Sequence, residues 1–184
     1  MSATSTRGKK CVPHPDPDDP PRRRANRRRG HGTFANDRPP VAGVVGRGSG
    51  EVRLEVLDTA SGAELDEVID STSLAGATVC TDEWRGYSRV GGRHGRAHRT
   101  VDHSGPKGLW ALDLDGDGVR EVHCNTQEGL WTGLRLFLGR FRGVSKWYLA
   151  QYVAIFQWAH NIKRVTDEFL RALFGLGPST GPAP

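Results

Sequence analysis

The chain is poor in cysteine and lacks the cysteine pairs that build disulfide frameworks or zinc ribbons. Its three cysteines, Cys11, Cys80 and Cys124, are odd in number, widely spaced and free of any C-x-x-C pattern. This spacing argues against both kinds of cross-link, so the expected setting is the reducing interior of a cell, in the cytoplasm.

Long apolar runs are missing as well. No stretch approaches the roughly 18 consecutive apolar residues of a membrane-spanning helix. No apolar segment follows the basic residues near the N-terminus, as a secretory signal would require. The sequence therefore predicts no membrane partner, and nothing in it indicates a small-molecule substrate.

Excess positive charge is absent from most of the chain, because the basic residues are concentrated near the N-terminus. Residues 1–40 hold 10 Lys or Arg against 4 Asp; subtracted from totals of 26 and 21, this leaves 16 basic and 17 acidic groups elsewhere. The net charge of +5 therefore describes the N-terminal segment and not the folded body.

The N-terminal segment, residues 1–38, is rich in Pro and Arg. Such a composition cannot bury enough apolar surface to offset the entropy lost on ordering. We predict a disordered basic arm here and a flexible tail at residues 175–184. The arm could lie on the phosphates of a nucleic acid. Two alternatives stay open, a solvated leader and out-of-frame sequence upstream of a truncated gene, because charge alone does not separate them.

Order is expected to begin with a β-hairpin. Apolar residues cluster at 41–45 and alternate with charged residues at 51–56, and a glycine-rich turn joins the two stretches. Ser61, with Glu64 three residues later, then has the pattern of a capping box, which predicts a helix over residues 62–73.

The rest of the chain continues the alternation of strands and helices. The apolar run at 77–80 predicts a buried strand that leads to Asp82, and a further strand is expected near 98–102. Helical spacing predicts a helix capped by Asn125 and a longer one capped by Ser145. A last short helix is predicted over residues 167–174. This order of elements is typical of an α/β fold.

The first candidate site residue is Asp82, in the segment 81–87 (TDEWRGY). A carboxylate that follows a buried strand lies where open α/β sheets bind their ligands, although an isolated Asp is more often part of an ordinary turn. Trp84, Arg85 and Tyr87 favour the functional interpretation, because aromatic and basic side chains next to an acid suit a site that handles a polyanion.

The second candidate is Glu128, in the first turn predicted after Asn125. At this position Glu128 could simply be the acid of a capping box that complements the helix dipole. Arg135 and Arg142 follow at steps of seven residues. On one helix, this spacing predicts a basic ridge that could follow a phosphate backbone.

A third candidate is the acidic segment 113–118 (DLDGDG), which resembles the start of a calcium loop. Asp113, Asp115 and Asp117 occupy the first, third and fifth positions, but Cys124 stands at the twelfth, where a bidentate Glu is required. No flanking helices are predicted. A solvated turn is therefore preferred, and calcium binding is kept as the alternative.

Taken together, the motifs resemble the ISXO-two-like insertion-sequence transposases of the DDE superfamily. The resemblance covers residues 39–165. The matching segments are 81–87 (TDEWRGY), 103–104 (HS), 122–131 (VHCNTQEGLW), 141–145 (FRGVS), and Tyr148 with Leu149.

The resemblance implies a ribonuclease H-like fold, in which helices flank a mixed sheet. It also implies three acids that hold two Mg²⁺ or Mn²⁺ ions for attack on a DNA phosphodiester. Asp82 matches the second acid and Glu128 the third. Residues 39–174 would then form a transposase catalytic-core fragment that binds transposon ends, with a homo-oligomer as a further option.

The chain departs from this family at the first acid. Family members carry it on the first strand of the sheet, ahead of the hairpin, and nothing in residues 1–38 resembles a strand. The family's zinc ribbon is also missing, Cys124 replaces a usual Thr, and residues 113–118 are an extra loop. The remaining aspartates lie among or before prolines, or beyond the hairpin: Asp16, Asp18, Asp19, Asp37 and Asp58.

The leading functional prediction is therefore DNA transposition by a truncated copy that lacks its first strand and has reduced or no activity. Loss of one carboxylate weakens both charge stabilisation and alignment of the nucleophile. The alternative, from another class, is a non-enzymatic DNA-binding protein that uses its basic arm. It predicts salt-dependent binding that disappears when residues 1–38 are removed.

Overall fold

The computed structural model describes residues 32–102, 111–162 and 167–176. The predictions for most of the basic arm, the tail beyond residue 176 and the HS segment at 103–104 lie outside these residues. The strands are Val41–Val45 (β1), Val52–Val56 (β2), Thr78–Asp82 (β3), Ala97–Val101 (β4), Ala111–Leu112 (β5) and Val122–His123 (β6), and the helices are Gly62–Thr72 (α1), Asn125–Gly139 (α2), Lys146–Asn161 (α3) and Asp167–Leu173 (α4).

The mixed α/β class is confirmed, and so is the hairpin. Strands β1 and β2 pair antiparallel, in a register that runs from Val41 opposite Val56 to Val45 opposite Val52. Strand β3 pairs parallel with β4, and the short strands β5 and β6 form a separate antiparallel pair that the sequence did not predict. None of the described helices is long and apolar enough to cross a membrane.

Strand β1 lies between two apolar cores. On one face, Val41 packs with buried residues of α2 and α3, including Leu134 and Leu149. On the other face, Ala42 packs with Leu65 and Val68 of α1. The alternation of side chains along the strand sends neighbouring residues into opposite cores. Helices therefore cover both faces of β1, which is the layering of an α/β fold.

The predicted cap of α1 is present. The Ser61 hydroxyl accepts a hydrogen bond from the Glu64 backbone N–H at 3.3 Å. The Glu64 carboxylate does not return to Ser61 but accepts from the Thr59 backbone N–H and hydroxyl, both at 2.9 Å. The hydrogen bonds of this cap therefore involve Thr59 as well as Ser61 and Glu64, whereas a standard capping box joins only two residues.

Two predictions about α2 are wrong. Cys124, not Asn125, occupies the N-cap position and makes no side-chain capping bond. The helix ends at Gly139, and Arg142 lies beyond it with a left-handed φ of 53°. Arg135 and Arg142 therefore do not form a ridge on one helix face, because the spacing of seven residues crosses the end of the helix.

Ion pairs join α1 to the segment that leads into β4, and Arg96 and Asp66 are their buried members. The Arg96 side chain is only 2% exposed, contacts the Asp70 carboxylate and donates to the Ser73 carbonyl at 3.0 Å. A hydrogen bond from Arg93 lowers the pKa of Asp70 to about 2, with a further contribution from Arg96. One turn earlier in α1, buried Asp66 lies 2.9 Å from the guanidinium of Arg89.

Side-chain amides of helix α3 form hydrogen bonds with the backbone of β2 along the outer edge of the hairpin. Asn161 accepts from the Val52 backbone N–H and donates to the Val52 carbonyl, both at 2.8 Å. Gln157 accepts from the Leu54 backbone N–H at 2.6 Å. These bonds satisfy groups that an edge strand would otherwise present to another chain.

Replacing Asn161 with alanine should lower the free energy of unfolding by about 1–3 kcal/mol, because the two hydrogen bonds between its side-chain amide and the Val52 backbone are lost. Urea unfolding followed by far-UV circular dichroism would measure the change. Gln151→Ala, at an exposed position of the same helix, is the matched control and should have little effect. Equal stability of the two variants would contradict a role for Asn161 at the edge.

Candidate metal and DNA site

Asp82 is the last residue of β3, and its side chain is exposed. Its Oδ1 accepts a hydrogen bond from the Trp84 backbone N–H at 3.2 Å, so the chain turns immediately after the strand. The preceding Thr81 is buried, and its hydroxyl lies 2.8 Å from His98 Nε2 on β4. The end of the strand is thus fixed, while the carboxylate remains accessible.

Glu128 lies in the first turn of α2, and its backbone N–H donates to the Cys124 carbonyl at 3.0 Å. The start of this helix packs against β1 at Gly43. A Cβ added at Gly43 would lie 2.6 Å from Gln127 Nε2 and 2.9 Å from Trp131 Cη2. The absence of a side chain at Gly43 therefore lets the first turns of α2 approach the sheet.

The two candidate acids lie near the same thiol. Burial, followed by the negative charge of Asp82 and smaller effects of Cys80 and Glu128, raises the pKa of Cys124 to about 11. Burial, followed by the charges of Asp82 and Cys124, raises the pKa of Tyr87 to about 12. Asp82 and Glu128 therefore both act electrostatically on Cys124, although 46 residues separate them in the sequence (128 minus 82).

A cationic side chain that the sequence did not indicate acts on Cys124 as well. Arg47, in the turn of the hairpin, donates to the backbone carbonyls of Glu121 and His123, in the second case at 2.6 Å. Burial, with a smaller effect of the Arg47 charge, lowers the pKa of His123. Arg47 therefore connects the hairpin turn to the strand that enters α2.

The five residues predicted to contact DNA fall into two groups. The rings of Trp84 and Tyr87 meet edge-on at 5.6 Å and pack against the core beneath α1, so their main contacts are internal. Arg85, Arg135 and Arg142 are exposed. The arginines are therefore the members of this set that can reach a phosphate backbone.

The acidic segment forms a compact turn between β5 and β6. Asp113, Asp115 and Asp117 are joined by Glu121, and their ligand atoms lie within 4.8 Å of one another. The carboxylates accept backbone N–H groups inside the turn, and bonds from Gly118 and Gly116 lower the pKa of Asp113. These hydrogen bonds give the acids a structural role in the turn. Calcium binding stays a prediction.

Asp82 and Glu128 suit magnesium by their chemistry. Mg²⁺ prefers oxygen ligands and is commonly held by one or two carboxylates together with substrate phosphates. Within residues 32–102, 111–162 and 167–176, no third His, Cys, Asp or Glu forms a compact ligand group with this pair. The donor set fits the metal but is smaller than the three acids that the resemblance implies.

An α/β core with a carboxylate at the exposed end of a strand, another in the first turn of a helix, and exposed arginines has the elements of a protein that acts on nucleic acid. Residues 14–161 match the family described as ISXO2-like transposase domain. The chain belongs to this family, and the resemblance inferred from its motifs is confirmed. The match begins upstream of residue 39, where the motifs had placed the start of the resemblance.

A curated relative comes from a mobile element. Over 148 residues the chain is 30% identical to a Halobacterium salinarum protein described as "Uncharacterized protein in transposable element ISH50". The alignment covers 80% of this chain and 47% of the relative, so the chain spans about half the length of the curated relative that it matches.

Sequence reasoning identified the two acids but missed three residues that build their surroundings. Arg47 has no signal beyond its place in a glycine-rich turn. Cys124 was noted as a departure from the calcium-loop pattern and from the family's usual residue, and its N-cap position was assigned to Asn125. Gly43 carried a signal, since glycine inside a strand indicates close backbone approach.

Proposed function

We propose that this chain is the catalytic core of a DDE transposase, which cleaves and joins DNA phosphodiesters at transposon ends. Membership of the transposase family supports DNA transposition as the process. The observation that carries the proposal further is the placement of two carboxylates, Asp82 at the exposed end of β3 and Glu128 in the first turn of α2, both of which act on the Cys124 thiol. A ribonuclease H-like sheet belongs to the same proposal.

In this proposal Asp82 and Glu128 are the protein ligands of Mg²⁺ or Mn²⁺. Such ions, when bound, would stabilise charge on the phosphodiester and activate the attacking oxygen. The Trp84 backbone N–H orients one oxygen of the Asp82 carboxylate. The first turn of α2 presents Glu128. Exposed Arg85 and Arg135 would hold the DNA backbone beside the acids.

Activity of the chain by itself should be low. Two carboxylates give a weaker clamp than three, because fewer negative charges hold the ions and align the nucleophile. Family membership favours this transposase function over the alternative of a non-enzymatic DNA-binding module. Removal of the arm would still reveal how much of the DNA affinity comes from its arginines.

Manganese binding tests the proposed ligands directly. Titration of the full chain with Mn²⁺, followed by electron paramagnetic resonance of the free ion, should show a site that weakens at least about tenfold in Asp82→Asn and in Glu128→Gln, since each loses one of two charged ligands. Glu83→Gln, at the exposed neighbouring position, is the matched control and should bind as the parent does.

The acidic turn could bind Mn²⁺ as well, so the titrations belong in a background that carries Asp115→Asn and Asp117→Asn. In the same background, cleavage of a labelled transposon end should be weak and should disappear in Asp82→Asn. Mn²⁺ affinity that is unchanged by both Asp82→Asn and Glu128→Gln would show that these acids are not metal ligands.

A further inference from the structure

Helix α2 begins without a side-chain cap. Cys124 holds the N-cap position and makes no side-chain capping bond, whereas the usual capping residues bond a backbone N–H of the first turn. The helix's own hydrogen bonding begins where the Glu128 N–H donates to the Cys124 carbonyl at 3.0 Å. The placement of the first turn, and of Glu128 in it, therefore depends on how neighbouring elements hold the residues that enter the helix.

The turn of the hairpin holds these residues through Arg47. The guanidinium donates from Nη1 to the Glu121 carbonyl and from Nη2 to the His123 carbonyl, the second at 2.6 Å. Carbonyls of alternate residues in an extended chain point to the same side, so one planar guanidinium can bond both. The two acceptors lie 74 and 76 positions after Arg47 in the sequence.

The bonds from Arg47 bracket a residue that is itself fixed. Val122 lies between the two acceptors, is 2% exposed and pairs with Leu112 of β5. Strand β6 is thus held by the ladder with β5, by its buried valine and by Arg47. Because His123 directly precedes the N-cap of α2, Arg47 fixes the chain at the point where it enters the helix. We call residues 121–124 the helix entry.

Electrostatics alone does not explain an arginine at this position. Burial and the charge of Asp82 are the main causes that raise the pKa of Cys124 to about 11, and the charge of Arg47 acts against them. Arg47 is therefore within electrostatic range of the thiol that both candidate acids influence. A cation near proposed metal ligands opposes the binding of a metal ion, because like charges repel. The two bonds to the helix entry give a reason for Arg47 that its charge does not.

We propose that Arg47 is a positioning residue of the metal site, which holds the helix entry so that the first turn of α2 presents Glu128 to the bound ion. The two hydrogen bonds from Arg47 form a clamp on the helix entry. The consequence of this clamp for the ion rests on the proposed function, in which Glu128 is a metal ligand. Gly43 sets how closely α2 approaches the sheet, and Arg47 sets where the helix begins.

The clamp requires the shape of arginine as well as a positive charge. Alternate residues of an extended chain are about 6.5 Å apart, and a single nitrogen that bonds two oxygens at about 3 Å reaches across at most about 6 Å. The two terminal nitrogens of a guanidinium cover this span together, whereas the single ammonium of lysine does not. Arg47→Lys should therefore keep the charge but lose at least one of the two bonds.

Manganese titration separates positioning from charge, because the two predict opposite results. Arg47→Met removes a cation, and by charge alone it should tighten Mn²⁺ binding. If Arg47 positions Glu128, the affinity should instead fall at least about tenfold, the usual scale for residues that orient metal ligands. Arg47→Lys should also bind more weakly than the parent. The titrations use the full chain carrying Asp115→Asn and Asp117→Asn. Arg53→Met, at an exposed arginine of the same hairpin, is the matched control and should not weaken binding.

Alkylation of Cys124 tests the clamp without any metal. The thiol is partly buried, so iodoacetamide should modify it slowly in the parent chain. Loss of the Arg47 charge by itself would raise the pKa of the thiol further and slow the reaction. A loosened helix entry exposes the thiol, so Arg47→Met and Arg47→Lys should react at least about threefold faster. Mass spectrometry of the digested protein measures Cys124, with Cys80 in the same digest as the internal reference.

Three results would overturn the inference. The first is unchanged or slower alkylation of Cys124 in both Arg47 variants, which would mean that the two hydrogen bonds do not hold the helix entry. The second is Mn²⁺ affinity that falls in Glu128→Gln but not in Arg47→Met, which would leave the proposed function standing without a role for Arg47. The third is an equal loss of affinity in Arg53→Met and Arg47→Met, which would show a general effect on the hairpin.

Failure of the proposed function has a different signature. Mn²⁺ affinity would then be unchanged in Asp82→Asn and Glu128→Gln, while faster alkylation of Cys124 in the Arg47 variants would still support the clamp. Unchanged alkylation of Cys80 in the same variants would place the loosening at the helix entry. Equally faster modification of both cysteines would indicate general loosening of the fold and would overturn the clamp.

Discussion

A valine in place of Gly43 should destabilise the fold by about 3 kcal/mol and move Glu128 away from Asp82. The new Cβ would lie 2.6 Å from Gln127 Nε2, 2.7 Å from Leu54 Cδ2 and 2.9 Å from Trp131 Cη2. These distances are shorter than van der Waals contact. Overpacking of a filled core costs about 1–3 kcal/mol, and two more methyl groups on a crowded Cβ place this variant at the upper end.

Urea unfolding would measure the loss of stability, and the Mn²⁺ titration would report whether Glu128 still reaches the site. Gly129→Ala is the matched control, because a Cβ there meets nothing within 4 Å and the residue lies inside α2. Alanine should stabilise the helix by up to about 1 kcal/mol. A Gly43→Val protein with parental stability would show that α2 does not depend on close approach at this glycine.

Replacing Arg96 with methionine should lower the free energy of unfolding by about 3 kcal/mol. Methionine keeps the apolar length of the side chain but removes the guanidinium, which is only 2% exposed and binds both Asp70 and the Ser73 carbonyl. Breaking a buried pair from one side costs about 3–5 kcal/mol. Asp70 keeps Arg93 as a partner, so the lower end of this range applies.

Arg93→Met provides the comparison for Arg96. The Arg93 side chain is 42% exposed, so solvent screens its interaction with Asp70. Its removal should therefore have a much smaller effect on thermal unfolding than Arg96→Met. Similar losses in the two variants would mean that burial of Arg96 does not matter. A double variant would show the coupling of the two arginines through Asp70.

Local sequence signals were sufficient for most elements. The hairpin follows from alternation and a glycine-rich turn, and the cap at Ser61 follows from a contact between residues three apart. The N-cap of α2 was missed by one residue, because Asn125 is a better capping residue than Cys124 and the preference for Asn is only statistical. Arg142 was placed on a helix because residue spacing does not reveal where a helix ends.

The candidate acids were also visible in the sequence, since each follows or begins a regular element. Their convergence on one site was only implied by the resemblance, because the position of Glu128 depends on how α2 packs against the sheet. Contacts of this kind join residues far apart in the chain and leave no periodic trace. Arg47 is an example, since its bond to the His123 carbonyl spans 76 positions. The parallel pairing of β3 with β4 has the same origin.

The hydrogen bonds between the side-chain amides of α3 and the backbone of β2 also determine when the outer edge of the hairpin becomes covered. Asn161 lies 109 positions after Val52, so the outer edge stays uncovered during synthesis until nearly all of the described chain has left the ribosome. In the finished protein, the Val52 and Leu54 amide hydrogens can exchange with solvent only when α3 leaves the sheet. Hydrogen exchange should therefore show the hairpin edge and α3 opening as a single unit.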